Sequence, residues 1–516
     1  MKKLPIGIQT IEEIVEENCV YVDKTALILK LISEGKYYFL SRPRRFGKSL
    51  LVSTLRAIFS GNKELFKDYQ IYTSDYHFQK HPIIYLDFTQ FSTKNPHELE
   101  NDLKKELMQI AKSYGKSIES PSSARAGLIS LVKALSTDNK VVVLVNEYDK
   151  PLIDNLDHME VAEKNRELLK DFFGTLKGLG LYLRFIFVTG VSKFSQVSLF
   201  SGFNNLQDIT INSKYATLLG YTEKEIILFF KPHLAHLEKK QTKTSQELIE
   251  LMRTWYNGYD FSGEKSTVYN PFSSLLFLDS GKINNYWFQT ATPTFLINQI
   301  KKQAYPLDQI SGIQVSDTIF HTHDLDKISL ISLMWQTGYL TIKSYDPVSH
   351  LYCLDYPNQE VRRSFLEYLA EGMTGVPRPQ ASRSARECAI ALHNHKLGDF
   401  FSTLKIFFAS IPYDMHVSKE KYYQTVFYVT AKLIGLDAQL EVTTNIGRID
   451  MVVTTDNYVY IFEFKVDSSA EEALNQIKDK KYFEKYLDQK KKLTLVGVNF
   501  DTKERNISEW KTLSLL

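Results

Sequence analysis

The segment Ser41-Arg42-Pro43-Arg44-Arg45-Phe46-Gly47-Lys48-Ser49 closes on Gly-Lys-Ser, the ending of a phosphate-binding loop. In such a loop, backbone amides at a helix N-terminus face the phosphates and the helix dipole favours the anion. Lys48 would reach the outer phosphates, and Ser49 would help hold Mg2+. Arg42 stands where the first glycine of G-x-x-x-x-G-K-[ST] belongs. Arg42, Arg44 and Arg45 add positive charge, toward the nucleotide or toward a partner. With Phe46 and Gly47 they make one half of a candidate nucleotide site. The competing explanation is a chance Gly-Lys-Ser on a solvated, arginine-rich turn. An apolar strand before it and an amphipathic helix after it favour the nucleotide.

The other half follows the apolar run Val141–Val145, which leads into Asn146-Glu147-Tyr148-Asp149-Lys150-Pro151. The first position after such a strand usually carries the Asp that holds Mg2+. Asn146 has no charge with which to compete for a divalent cation. Glu147 can orient water, and Asp149 can stand in for the missing carboxylate. The plainer alternative is that these groups cap the strand end and pair with Lys150. ATP binding is expected, with hydrolysis weak or absent.

A second constellation lies near the C-terminus. Gly447-Arg448-Ile449-Asp450-Met451-Val452 precedes Tyr458-Val459-Tyr460-Ile461-Phe462-Glu463-Phe464-Lys465. Residues two apart on a strand share a face, so Glu463 and Lys465 point the same way. Asp450 falls on the neighbouring strand of a hairpin. Two carboxylates and a backbone carbonyl make an all-oxygen Mg2+ site, with Asp450 and Glu463 as metal ligands. The metal would polarise a scissile phosphate and acidify a bound water. Lys465 would position that water and stabilise the developing charge. Glu420, at the start of the preceding helix, would complete the carboxylate cluster. Taken alone, Glu-x-Lys on an apolar strand is more often a surface ion pair.

Elements that could hold these residues are visible in the apolar pattern. Tyr37–Leu40, Pro82–Phe88, Val141–Val145 and Phe185–Val188 read as strands. Leu51, Val52, Leu55 and Ile58 mark a helix over Lys48–Phe59, and Leu168 to Leu179 carry another helical stripe. Such alternation predicts a parallel sheet covered on both faces. A mainly helical region follows, with short aromatic motifs at Trp255–Tyr259 and Tyr356-Pro357-Asn358. Thr374–Arg386, with two prolines and several serines, reads as a linker. Beyond it, helix Glu420–Ile434, strands Gln439–Thr443, Ile449–Thr454 and Val459–Phe464, helix Ala470–Tyr486 and a last strand Leu493–Asn499 give an αβββαβ order.

From Leu4 to about Tyr221 the chain resembles the AAA-ATPase-like family of bacterial proteins, usually fused to a C-terminal PD-(D/E)xK nuclease-like domain. The segments that carry the resemblance are Tyr21–Thr25, Phe39–Ser49, Glu147–Pro151 and Phe200–Leu206. The family's strand usually ends Asp-Glu-Tyr-Asp, so Asn146 departs from it. The resemblance implies a γ-phosphate sensor at Lys193, where the family commonly has Arg; Lys keeps the charge and loses the two-pronged geometry. The order Glu420, Asp450, Glu463, Lys465 likewise resembles the attached nuclease domain over about Pro412 to Trp510. Gln476 resembles the glutamine placed near the site in many related nucleases.

Composition sets the outer bounds. The 516 residues are 43% hydrophobic and 24% charged, which excludes a mainly disordered chain, a collagen or a coiled-coil rod. A net charge of +3 neither announces nor excludes a nucleic-acid partner. Lys478–Lys492 is locally basic, with Tyr482, Phe483 and Tyr486 interleaved; it reads equally as phosphate contact or as a solvated face over core aromatics. Three scattered cysteines fit a reducing compartment. No apolar stretch approaches a membrane span, and Pro5, Gly7 and Glu12-Glu13 interrupt a signal peptide, so a cytoplasmic, non-membrane location is expected.

The layout expected is a P-loop, AAA-ATPase-like domain over 1–230, a helical middle region over 231–375, and a restriction-endonuclease-like domain over 376–516 with its core at 412–510. The expected function is an ATP-binding module that controls a Mg2+-dependent nuclease acting on DNA. ATP and Mg2+ are the cofactors, with Mn2+ as a substitute, and a homo-oligomer is compatible. The alternative is a nucleotide-switched signalling or nucleic-acid-binding protein without nuclease turnover.

Overall fold

The computed structural model describes residues 1–193, 205–290, 294–303, 305, 310–321, 329–412, 420–433, 436–444, 447–488 and 490–515. The chain divides into two compact units, Met1–Thr292 with Gly312–Val361, and Pro293–Ser311 with Arg362–Leu516.

The first unit is built on five parallel strands: β1 (Tyr37–Ser41), β2 (Ile83–Asp87), β3 (Val141–Asn146), β4 (Leu183–Gly190) and β5 (Gln207–Asp208). Their order is β2-β3-β4-β1-β5. Every residue of β3 is buried, as a strand covered on both faces requires. Helix α1 (Lys48–Phe59) follows β1 and turns Leu51, Val52, Leu55 and Ile58 inward. Helices α2 (Pro96–Ser113), α3 (Ala124–Leu135) and α4 (Met159–Gly174) contribute Leu99, Leu103, Leu107, Leu128, Leu131, Leu169 and Phe172 to one core with Ile84, Leu86, Val143 and Val145. Each such leucine is worth about 1.5–3 kcal/mol of burial. The side chains of Asn95 and Ser123 cap α2 and α3.

Later in the same unit, helix α5 (Pro271–Ser280) is capped by Asn270. Strands β6 (Ile313–Val315), β7 (Thr341–Asp346) and β8 (Leu351–Asp355) form a small antiparallel sheet. The division between units falls within helix α6 (Gln359–Thr374).

In the second unit, helix α7 (Arg378–His393) replaces most of the linker expected over Thr374–Arg386. Pro379 sits in its first turn, where the missing N–H costs no intrahelical bond, so the proline begins the helix. Helix α8 (Leu397–Ala409) follows. Helix α9 (Glu420–Leu433) buries Tyr423, Val426, Phe427 and Thr430, and Phe427 packs 5.1 Å from Phe462. Strands β9 (Asp437–Thr443), β10 (Arg448–Thr454) and β11 (Tyr458–Val466) form an antiparallel meander. Helix α10 (Ala470–Asp479) then crosses to β12 (Lys492–Asp501), which pairs parallel to β11. The expected helix to Tyr486 stops short because Lys481 adopts φ 46°, after which Tyr482–Tyr486 is a 3-10 turn. A strand absent from the expected order, β13 (Asn506–Leu515), closes the sheet as β13-β12-β11-β10-β9.

Candidate nucleotide and metal sites

Beyond the carboxyl end of β1 the chain turns through Arg42–Gly47 into α1. Gly47 is the N-cap residue with φ 92°, a conformation glycine adopts at no steric cost. Arg42 keeps an ordinary negative φ, so the absent first glycine imposes no strain. Its side chain turns inward, correcting the expectation that it faces nucleotide or partner. The guanidinium donates to the carbonyls of Ser41 (2.9 Å), Thr210 (2.7 Å) and Tyr215 (3.5 Å) and lies 3.9 Å over the Phe261 ring. Burial pulls its pKa down to about 9, opposed by the charge of Asp208. Phe46 is also buried, edge-on to Tyr259 at 4.7 Å. Trp287 Nε1 donates to the Arg44 carbonyl at 3.1 Å. Backbone carbonyls of one other segment and side chains of two more thus hold the loop.

A cavity of about 430 Å3 opens over this loop. Arg44, Arg45, Gly47, Lys48, Ser49, Asn146 and Glu147 all line it. Lys48 Nζ donates to the carbonyls of Arg42 (3.0 Å) and Pro43 (3.2 Å) and pairs with Glu147 at 3.2 Å. Asn146 Nδ2 donates to Ser49 Oγ at 3.2 Å, while its buried Oδ1 has no partner. Arg45 lies 4.8 Å over the ring of Phe272, which with Leu275 brings α5 to the cavity. Cationic side chains, helix N-terminal amides, the Ser49 hydroxyl and the Glu147 carboxylate form a set that fits a nucleoside triphosphate with its Mg2+.

Two expected members lie elsewhere. Asp149 is fully buried and accepts from Val191 N (3.0 Å), Ser192 N (2.6 Å) and Ser192 Oγ (2.7 Å). Desolvation, then the nearby charge of Glu147, raises its pKa. It anchors the chain after β4 and does not face the cavity. Lys193 is also buried, with Nζ 2.6 Å from Asp208 and its amide donating to Gln336 Oε1. Its charge is paired inside the fold, and it does not line the cavity. Asp87, which ends β2, and Thr89, in the turn after it, were not singled out from the sequence, yet they line the cavity. The available signal was a carboxylate closing an apolar strand.

The aromatic motifs without assigned chemistry prove to be a clasp. Asn358 Nδ2 donates to the Asn257 carbonyl at 2.8 Å, and Gly258 lies so close to Pro357 that a Cβ would sit 2.1 Å from its carbonyl oxygen. In the N-terminal motif, Lys24 pairs with Glu225 at 2.7 Å and Asp23 accepts from Thr25 and Gln70. Residues 200–204 of the fourth motif lie outside the described residues.

The second unit brings the other constellation together on the β10–β11 hairpin. Asp450 Oδ2 accepts from the Phe464 amide at 2.8 Å, which sets it beside Glu463 and Lys465. Glu463 is buried at 1% exposure. Gln476, on α10, donates through Nε2 to Glu463 Oε1 and accepts through Oε1 from Lys465 Nζ at 2.7 Å. Lys465 Nζ lies 3.7 Å from Glu463 Oε1. Glu420 opens α9, and its side chain lies outside the described residues. Among the described residues no group of three or more His, Cys, Asp or Glu is placed to hold a metal. Asp450 and Glu463 with a backbone carbonyl fit a hard divalent cation such as Mg2+, which keeps several waters. Tyr482 and Tyr486 of the lysine-rich segment are core residues, and Lys480, Lys481, Lys485, Lys490 and Lys492 are exposed.

Residues 5–200 match the family described as predicted AAA-ATPase, and residues 418–510 match the PD-(D/E)XK nuclease superfamily. The chain is 38% identical over 517 residues to the "Uncharacterized protein in vnfD 5'region" of Azotobacter chroococcum mcd 1, covering 98% of each. No helix among the described residues is long and apolar enough to cross a membrane.

Proposed function

The chain belongs to the family of predicted AAA-ATPases that carry a C-terminal PD-(D/E)XK nuclease superfamily domain, and from that premise we propose that it is an ATP-regulated, Mg2+-dependent nuclease acting on DNA. The observation that carries the nuclease reading is the chain Lys465–Gln476–Glu463, with Asp450 fixed on the amide between Glu463 and Lys465.

Asp450, Glu463 and a backbone carbonyl would hold Mg2+ or Mn2+, which when bound polarises the phosphate and acidifies water. Gln476 fixes the rotamers of Glu463 and Lys465 at once. Lys465 then presents an ammonium to the attacking water and to the charge that grows on the phosphate oxygens. The exposed lysines of 478–492 supply sequence-independent attraction to the backbone. ATP would bind over Arg44–Ser49, with slow turnover because Asn146 replaces a carboxylate. Its effect on cleavage requires that it bind two arrangements of the protein unequally. A cytoplasmic location agrees with this chemistry.

The test incubates full-length protein with plasmid, linear DNA and RNA in Mg2+ or Mn2+, beside Glu463→Ala and Lys465→Ala. Cleavage is expected to fall by at least about 100-fold in both. Cleavage that survives both substitutions refutes the site. Control by ATP is refuted if ATP alters cleavage equally in wild type and Lys48→Ala, or in neither.

A further inference from the structure

Asn146 ends β3 at the place where a nucleotide-bound cation normally meets a carboxylate, and it offers only an amide. The neighbouring strand supplies the missing group. β2 and β3 are parallel and paired so that Asp87 is the register partner of Asn146. Paired residues on neighbouring strands lie about 4.8 Å apart across the sheet, and in a parallel pair their side chains leave by the same face. Both residues stand at the carboxyl edge of the sheet, where open α/β folds bind their ligands. Both line the cavity that also holds Lys48, Ser49 and Glu147.

Asp87 is aimed in advance. Its Oδ1 accepts from Thr89 N (3.0 Å) and Thr89 Oγ1 (2.8 Å), and its Oδ2 accepts from the Tyr85 hydroxyl (3.0 Å). An ionised carboxylate has about four acceptor sites, so three donors leave capacity on Oδ2. A second observation points to a ligand here. Asn146, which lines the cavity, is 2% exposed and its Oδ1 is a buried acceptor without a partner.

We propose that Asp87 supplies the carboxylate that Asn146 lacks, and holds, directly or through a coordinated water, the divalent cation that accompanies the nucleotide. The inference rests on the reading of this cavity as a nucleotide site. The cation would then stand between Ser49, Asp87 and the phosphates, with Asn146 as a neutral acceptor beside it.

The experiment titrates full-length protein with a fluorescent ATP analogue, in EDTA and over a range of Mg2+, and follows Mn2+ binding by paramagnetic resonance. Wild type is expected to gain affinity with Mg2+. Asp87→Asn keeps an acceptor for Thr89 and Tyr85 and removes a negative charge beside the phosphates, so its affinity in EDTA should not fall. Its Mg2+ requirement should rise about 10–100-fold, the usual cost of losing a metal-supporting group. Adding Asn146→Asp to Asp87→Asn should restore most of the Mg2+ response. The inference is overturned if Asp87→Asn keeps the wild-type Mg2+ response, if it weakens binding equally in EDTA, or if wild type shows no Mg2+ response. A wild type that binds no nucleotide, or a Lys48→Ala variant that binds as well as wild type, instead removes the nucleotide reading itself.

Discussion

Glu360 offers the sharpest physical test in the first unit. It is fully buried and accepts from Ser273 Oγ at 2.8 Å and from Trp287 N at 2.8 Å. Burial pushes its carboxyl up from 4.5 to about 8, against the lowering effect of those donors. Ser273 lies on α5, which lines the nucleotide cavity, and Trp287 holds the Arg44 carbonyl. One proton therefore bears on two supports of the phosphate loop. Between about pH 4.5 and 8 the folded chain keeps this proton and the unfolded chain has lost it. Stability is thus fully present below the window and falls as pH rises through it. At about 1.4 kcal/mol per unit, the step from pH 6 to 9 is worth roughly 2–3 kcal/mol. Glu360→Gln imitates the protonated acid and should remove this slope. The assay is urea unfolding at pH 6, 7.5 and 9, followed by tryptophan fluorescence; Trp255, Trp287 and Trp335 all belong to the first unit. Because a chain of two units need not unfold in one step, the transition of that unit is compared between variants. Wild type should lose roughly 2–3 kcal/mol more than Glu360→Gln from pH 6 to 9. Equal losses in the two proteins would refute the reasoning.

Other substitutions separate structural from chemical roles. Gln476→Ala uncouples Lys465 from Glu463 and should lower DNA cleavage about 10–100-fold, with a raised Mg2+ requirement read from plasmid nicking. Gly190→Ala would put a Cβ 2.3 Å from Asp149 Oδ1 and 2.7 Å from Tyr148 Cδ1, and should cost about 1–3 kcal/mol in thermal or urea unfolding. Lys193→Met leaves Asp208 without its buried partner and should destabilise by roughly 3 kcal/mol, whether or not ATP is present. A variant of unchanged stability with selectively weakened ATP binding would return Lys193 to the role of a phosphate sensor.

Residues whose direction is set by local periodicity were readable in advance. Glu463 and Lys465 share a face because a strand alternates, and Lys48 and Ser49 open a helix because an apolar strand and a helical stripe flank them. Gln476 came from resemblance, and its bridging of the two strand residues came only from the structure. What failed was the direction of charge in turns. Arg42 and Asp149 are charged and lie near the motif, and Lys193 stands where the resemblance implies a phosphate sensor, yet all three turn inward. Their partners are Thr210, Ser192 and Asp208, supplied by segments the local pattern does not place beside them. Asp87 failed in the opposite sense. Its strand was recognised, but only the order β2-β3-β4-β1 makes it the neighbour of Asn146. The same limit explains β13 and α7, where an edge strand and a proline in a first turn carry weak local signals.

These misplacements share a cause that bears on how the loop works. A phosphate loop with its first glycine can lie close to the anion by backbone alone. With Arg42 in that place, the turn is pinned instead by a buried guanidinium on three carbonyls, by Phe46 against Tyr259, and by Trp287 on the Arg44 carbonyl. Such a loop is held by distant segments, so its geometry depends on theirs. Lys48 is meanwhile engaged by Glu147 and by two carbonyls of its own loop. An arriving phosphate would therefore compete with Glu147 for the ammonium. Nucleotide that displaces Glu147 from Lys48 would act on the loop that Trp287 and Arg42 pin, and through those pins on the segments of Glu360 and Thr210.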